Sequence, residues 1–144
     1  MPEINERFTN ALHSTARSWR LAMDRRLKYL GLSQASWLTI AIVAKAPAPL
    51  SQIDLANRLG VEGATMVSML DRLTKAGFLE REVSPSDRRV KRVKLTEAGN
   101  EVFGRVKAEA TIFRDNLLQN FDRDKLAMAT DLLKQLQSLV ESEL

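Results

Sequence analysis

SQIDLANRLGVEGATMVSMLDRLTKAGFLEREVSPSDRRVKRVKL, residues 51–95, decides the fold. Its opening, Ser51-Gln52-Ile53-Asp54, sets a hydroxyl residue three positions before an acid, the signature of a capped helix N-terminus. A short helix over Gln52 to Leu59 follows, and Gly60 supplies a tight turn. A second helix over Glu62 to Ala76 puts Met66, Val67, Leu70 and Leu73 on its inner side. Two helices in such close succession need a small residue at their contact and a turn residue free to adopt positive φ; Ala56 and Gly60 meet those needs. Gly77 stops the second helix, and the period then changes. Phe78 to Val83 is predicted as a strand, Ser84-Pro85-Ser86-Asp87 carries turn chemistry, and Arg89 to Leu95 alternates, with Lys91, Val93 and Leu95 on one side. A helix-turn-helix followed by a basic hairpin describes a winged helix.

Outward from this stretch the pattern is helical. Ile4, Phe8, Leu12, Trp19, Met23, Leu27 and Leu30 step by three and four along an amphipathic helix that Gly31 ends. Ser33 is placed to cap a second helix carrying Trp37, Ile40, Ala41 and Ala44, which Ala46-Pro47-Ala48-Pro49 breaks. Downstream, Thr96 caps a long helix through Val102, Phe103, Val106, Ala110, Phe113 and Leu117. Asp122 caps the last, whose stripe of Leu126, Ala129, Leu132, Leu133, Leu136, Leu139 and Val140 approaches a heptad seam. The expected fold is mainly α with a small β-hairpin, an α+β chain.

The 144 residues suit one domain. With no cysteine, disulfides, thiolate metal sites and cysteine nucleophiles are excluded, and the single histidine, His13, makes no metal site alone. No glycine-rich phosphate loop, nucleophile elbow or histidine–carboxylate set is present, so no catalysis, cofactor or metal is expected. The first ten residues lack the order of a signal peptide, and no apolar run reaches membrane length, so a cytoplasmic location is expected. Net charge is +4, unevenly spread: residues 97–144 carry six basic and nine acidic residues, while residues 81–94 hold Arg81, Arg88, Arg89, Lys91, Arg92 and Lys94 against Glu82 and Asp87. Such a cluster is either an electrostatic footprint for phosphate or a solvated hairpin.

Several motifs in one order resemble the MarR family, and its SlyA-like branch in particular. They are Asp71-Arg72-Leu73-Thr74-Lys75-Ala76-Gly77-Phe78-Leu79-Glu80-Arg81, Ser86-Asp87-Arg88-Arg89 and Lys94-Leu95-Thr96-Glu97-Ala98-Gly99, with Arg25-Arg26-Leu27-Lys28 and Gly31 to Trp37 upstream. The resemblance implies a single domain over 1–144 in which segments 1–32 and 105–144 dimerise and 33–104 forms the winged lobe. It implies a homodimeric transcription regulator, repressor or activator, straddling a palindrome in double-stranded DNA and associated with the nucleoid. Many such regulators release DNA on binding small aromatic or phenolic compounds.

By resemblance, Arg89 enters the minor groove, Asp87 orients wing arginine and Arg88 contacts phosphate; the alternatives are a turn-forming acid and a solubilising turn. The exposed start of the second helix of the pair offers Gly63, Ala64, Thr65 and Ser68. SlyA-like relatives carry an arginine where this chain has Ser68, so modest base readout and reliance on groove shape are expected. Ser51 and Gln52 sit at a helix N-terminus suited to phosphate, and Arg72 either reaches the backbone or is a surface charge. Arg17, Trp19, Arg20 and Trp37 form a candidate effector site, since arginine and tryptophan suit an aromatic carboxylate; core packing of the tryptophans is the alternative. Two other functions stay open: an anti-silencing protein reading A·T-rich shape, and a winged-helix protein-interaction module.

Overall fold

The structure, a computed structural model, describes residues 3–144; the first two residues of the expected 1–32 segment lie outside the described ones. Six helices and three short strands follow one another: α1 (Ile4–Arg26), α2 (Gln34–Lys45), β1 (Leu50–Ser51), α3 (Gln52–Leu59), α4 (Gly63–Lys75), β2 (Leu79–Val83), β3 (Lys91–Leu95), α5 (Glu97–Leu118) and α6 (Arg123–Glu141). The chain divides into two compact units, one ending at Ala110 and the other Thr111–Leu144.

In the first unit, α1 stops four residues before the expected Leu30. The chain tightens into a 3₁₀ turn over Lys28–Leu30, with the Leu30 N–H donating to Leu27 O, and Gly31 closes it at φ 71°. A tightened last turn satisfies carbonyls that a helix end leaves without partners. Ser33 caps α2 by accepting from the Ser36 N–H, and α2 ends at Ala46, held extended by the following proline.

The core lies between α2, α3, α4 and the sheet. Ile40, Leu55, Met66, Leu70 and Val93 are fully buried. Val67, expected inside, is exposed, and Met69 is buried instead: Met66, Met69, Leu70 and Leu73 follow the i, i+3, i+4, i+7 stripe, and Val67 falls off it. On α2, Thr39 and Val43 are core residues; the Thr39 hydroxyl donates to Ala35 O and approaches Met69 Sδ at 3.0 Å.

The sheet has three antiparallel strands in the order β1-β3-β2, not the two of a lone hairpin. Arg81 pairs with Val93 across the hairpin, and Leu50 pairs with Val93 on the other edge. Two residues after Pro49 are too few to show an alternation, which hid β1. A tight seam joins hairpin and α5. Thr96 donates its hydroxyl to Gly77 O and accepts from the Gly99 N–H, while a Cβ at Gly99 would collide with the Phe78 carbonyl. Arg26 ties the end of α1 to Glu109 of α5 at 3.1 Å.

In the second unit, Asp122 caps α6 by accepting from the Lys125 N–H. No α6 residue is buried; Met128, Leu132, Leu139 and Val140 are all more than half exposed.

Candidate nucleic-acid interface

The α3–α4 pair is built as its sequence dictates. Ser51 accepts from the Asp54 N–H at 3.0 Å while Asp54 Oδ2 accepts from the Ser51 N–H at 3.4 Å, a reciprocal capping box. The Ser51 hydroxyl is therefore engaged within its own helix end, and Gln52 is half-buried beside it. Ala56 is buried at the helix contact, and Gly60 takes φ 71° as the Val61 N–H reaches back to Ala56 O. Burial of Met66, Met69, Leu70 and Leu73 turns Gly63, Ala64, Thr65, Ser68 and Arg72 to solvent. Glu62, at the N-cap, makes no side-chain capping bond.

The wing turn is held by its own polar groups. The Ser84 N–H donates to Val90 O at 2.8 Å, and Ser84 and Ser86 hydroxyls pair at 3.1 Å. Asp87 clamps Arg89 in a fork: Nε donates to Oδ1 and Nη2 to Oδ2, each at 3.1 Å, and the Arg89 backbone N–H adds a third bond at 3.0 Å. The Arg89 side chain still remains 90% exposed. Its side-chain hydrogen bonds, then that backbone bond, hold the Asp87 carboxyl below its ordinary 3.8.

The six cations of the cluster are not equivalent. Arg81 meets Asp71 at 2.7 Å, Arg92 meets Glu82, and Lys94 lies between Glu80 and Glu82, whose hydrogen bonds, Glu82 foremost, raise the ammonium above its ordinary 10.5. Among the described residues only Arg88 and Lys91, both exposed, lack an acidic partner in this cluster. In the sequence Arg81 figures only as one of the six basic residues of 81–94 and as the end of the Asp71 to Arg81 motif, not as a site residue. It joins β2 to α4, adding a hydrogen bond to the Val67 carbonyl.

The four candidate effector residues do not converge. Arg17 and Arg20, exposed on α1, line an open cavity of about 320 Å³ with His13, Leu21 and Gln34. Trp37 is buried on α2 and donates its indole N–H to Asp24 Oδ1 at 3.2 Å; Trp19 is half-buried, and neither ring lines that cavity. Among the described residues, no three His, Asp or Glu side chains group to hold a metal, and no helix is long and apolar enough to cross a membrane.

A helix-turn-helix with an exposed second helix, followed directly by a wing, defines a winged-helix protein. The sequence model of the MarR family matches residues 30–90. The crystal structure of the transcriptional regulator PA3341 is 34% identical, covers 94% of this chain and 98% of its own, and superposes with a TM-score of 0.86. The chain belongs to the MarR family, whose members are transcription regulators and not enzymes. The transcriptional regulator SlyA shares the fold at 22% identity (TM-score 0.80, 94% of this chain and 95% of that one). So does Streptococcus pneumoniae FabT in complex with DNA, at 22% identity and TM-score 0.81, with 97% and 99% covered.

Proposed function

We propose that the chain binds palindromic duplex DNA as a homodimer, with α4 in the major groove and the wing in the minor groove. The observation that carries this is the wing itself: Arg89 clamped by Asp87 yet 90% exposed, beside an unpaired Arg88, on the hairpin that follows a helix whose polar and small residues face solvent. A duplex groove rewards such presentation, since arginine is favoured where a narrow minor groove concentrates negative potential. Gly63, Ala64, Thr65, Ser68 and Arg72 read or touch the major groove, and Ser51 and Gln52 approach phosphate from the start of α3. The solved FabT–DNA complex supports the reading by fold.

Residues 1–32 and 105–144 supply the dimer contacts, and 33–104 the DNA-binding lobe. Support comes from apolar side chains left in water: Ile4 and Leu21 on α1, Ile112 and Leu117 on α5, and the α6 stripe. The protein acts in the cytoplasm on the nucleoid. Its placement in the SlyA-like branch rests on the sequence motifs. Arg17 and Arg20 offer a carboxylate two cations at the α1 cavity, and a small aromatic acid held there releases DNA, with the indoles of Trp19 and Trp37 shaping the surrounding packing.

One observation favours a second reading. The first two turns of α4, Gly63 to Leu70, contain no arginine or lysine, so discrimination by base edges is weak and an anti-silencing role on A·T-rich DNA follows. Selection of genomic fragments by the purified protein at about 100 mM salt separates these. A shared palindrome, lost with Arg88→Ala/Arg89→Ala, establishes the site-specific regulator. Diffuse A·T-rich recovery establishes the shape reader. No enrichment from a folded dimer means either that a bound small ligand holds it off DNA or that the chain is a protein-interaction module.

A further inference from the structure

Helix α4 contains a single acidic residue, Asp71. It stands three positions after Ser68 and seven after Ala64, and helical spacing places all three on one ridge. Asp71 is exposed. A lone carboxylate there would face the phosphates of any duplex that α4 enters, and like charges across an interface oppose binding.

Arg81 answers that charge from the neighbouring strand. Its Nη1 lies 2.7 Å from Asp71 Oδ1, and its Nη2 donates to the Val67 carbonyl at 3.2 Å, one helical turn earlier. The guanidinium is thereby fixed along α4, with only 22% of its side chain exposed against 60% for Asp71. Asp71 is the exposed end of the pair, and an ion pair with one partner largely in water contributes modestly to folding stability. Arg72 and Lys75, in the last turns of α4, form no ion pair with Asp71.

We propose that Arg81 is a positioning residue for DNA binding that acts through Asp71: it cancels the carboxylate on the reading ridge without itself touching phosphate. This rests on the DNA-binding reading above.

The test compares wild type, Arg81→Ala and Arg81→Ala/Asp71→Asn, in which the pair again has no net charge, on one selected duplex across a salt series. Arg81→Ala weakens binding about tenfold through the exposed like charge, and the double variant returns to within about threefold of wild type. The slope of log K against log salt stays unchanged in Arg81→Ala, because the protein neutralises as many phosphates as before. A slope smaller by about 0.9 would make Arg81 a phosphate ligand and overturn the proposal. A double variant as weak as the single, or an Arg81→Ala protein that binds like wild type, overturns it too. Circular dichroism melts accompany each variant; should Arg81→Ala not fold, Arg81→Gln takes its place in both the single and the double variant, since glutamine retains a donor for the Val67 carbonyl. A wild-type dimer that binds no duplex overturns the DNA-binding reading itself, and this inference with it.

Discussion

In the winged lobe, Ile40, Leu55, Met66, Leu70 and Val93 reach full burial, whereas in α6 Met128 and Leu139 remain 71% and 67% exposed. Both regions carry apolar stripes at helical spacing. The lobe folds its stripes against a sheet and three other helices of the same unit, so its pattern is satisfied locally. The α6 stripe has a cap at Asp122 and a heptad-like seam but no burial within its own unit. Periodicity thus states which face is to be covered and not what covers it. Apolar surface leaves water only when a partner arrives, at roughly 25 cal/mol per Å², and for α6 we propose a second copy of the chain.

The largest effect is expected where that proposal is broken. Leu132→Glu with Leu139→Glu places two charges in the seam, and sedimentation at micromolar concentration changes from dimer to monomer mass. Loss of bivalency then lowers affinity for a palindrome by about 10²–10⁴-fold, while the lobe keeps its own core. A wild-type protein sedimenting as a monomer, or a variant that still sediments as a dimer, ends the assignment of α6 to the interface.

Next in size is the wing. Arg88→Ala/Arg89→Ala removes one unpaired and one clamped cation and weakens duplex binding by at least about tenfold. The salt slope becomes shallower by about 0.9 for each phosphate that the variant no longer neutralises. Unchanged affinity would place the lobe's DNA contacts elsewhere.

The seam of the lobe gives a third prediction. At Gly99 an added methyl would meet the Phe78 carbonyl and come within 3.3 Å of Leu95 Cδ2. The Phe78 carbonyl accepts from the Thr96 N–H, so it cannot move freely. Gly99→Ala therefore costs about 1–3 kcal/mol through overpacking, a fall in Tm of roughly 3–12 °C for a chain of this size. Gly104→Ala, in the interior of α5 with nothing within 4 Å of its added Cβ, is the control and raises Tm slightly, since alanine favours a helix interior by up to about 1 kcal/mol over glycine.

These sites differ in how far the sequence discloses them. The helix order, Ser33, Ser51 and Asp122 as caps, and Gly31 and Gly60 as turns are local chemistry, legible from neighbours within four residues. The three-residue tightening after Arg26 and the two-residue strand at Leu50 are shorter than any period and escape notice. Val67 is misplaced because an apolar residue beside a stripe is indistinguishable from one on it until the neighbouring elements are known. Charge pairing is the least legible. A count of residues 81–94 finds a basic cluster, yet Asp71 and Glu80, outside that window, neutralise Arg81 and help to neutralise Lys94 across the fold. Trp37 beside Asp24 is hidden in the same way, since their separation of thirteen positions says nothing of proximity.

The smallest effect lies within the wing, where Asp87 and Arg89 are two residues apart and the pairing is local. Two side-chain hydrogen bonds and one backbone bond from Arg89 hold the Asp87 carboxyl below 3.8. A carboxyl depressed in the folded state contributes stability that is complete above its unfolded value and disappears as pH falls through the folded one. The clamp is therefore intact at neutral pH and opens only on the acid side of 3.8. Because the pair is exposed, the melting temperature scarcely registers that loss, and the carboxyl carbon shift of Asp87 is the direct measure. Its titration midpoint lies below 3.8 in the wild type and returns towards that value in Arg89→Ala. A wild-type midpoint at or above 3.8 would mean that water, not Asp87, surrounds the guanidinium, and the wing would then present Arg89 with its charge uncompensated, as free as its neighbour Arg88.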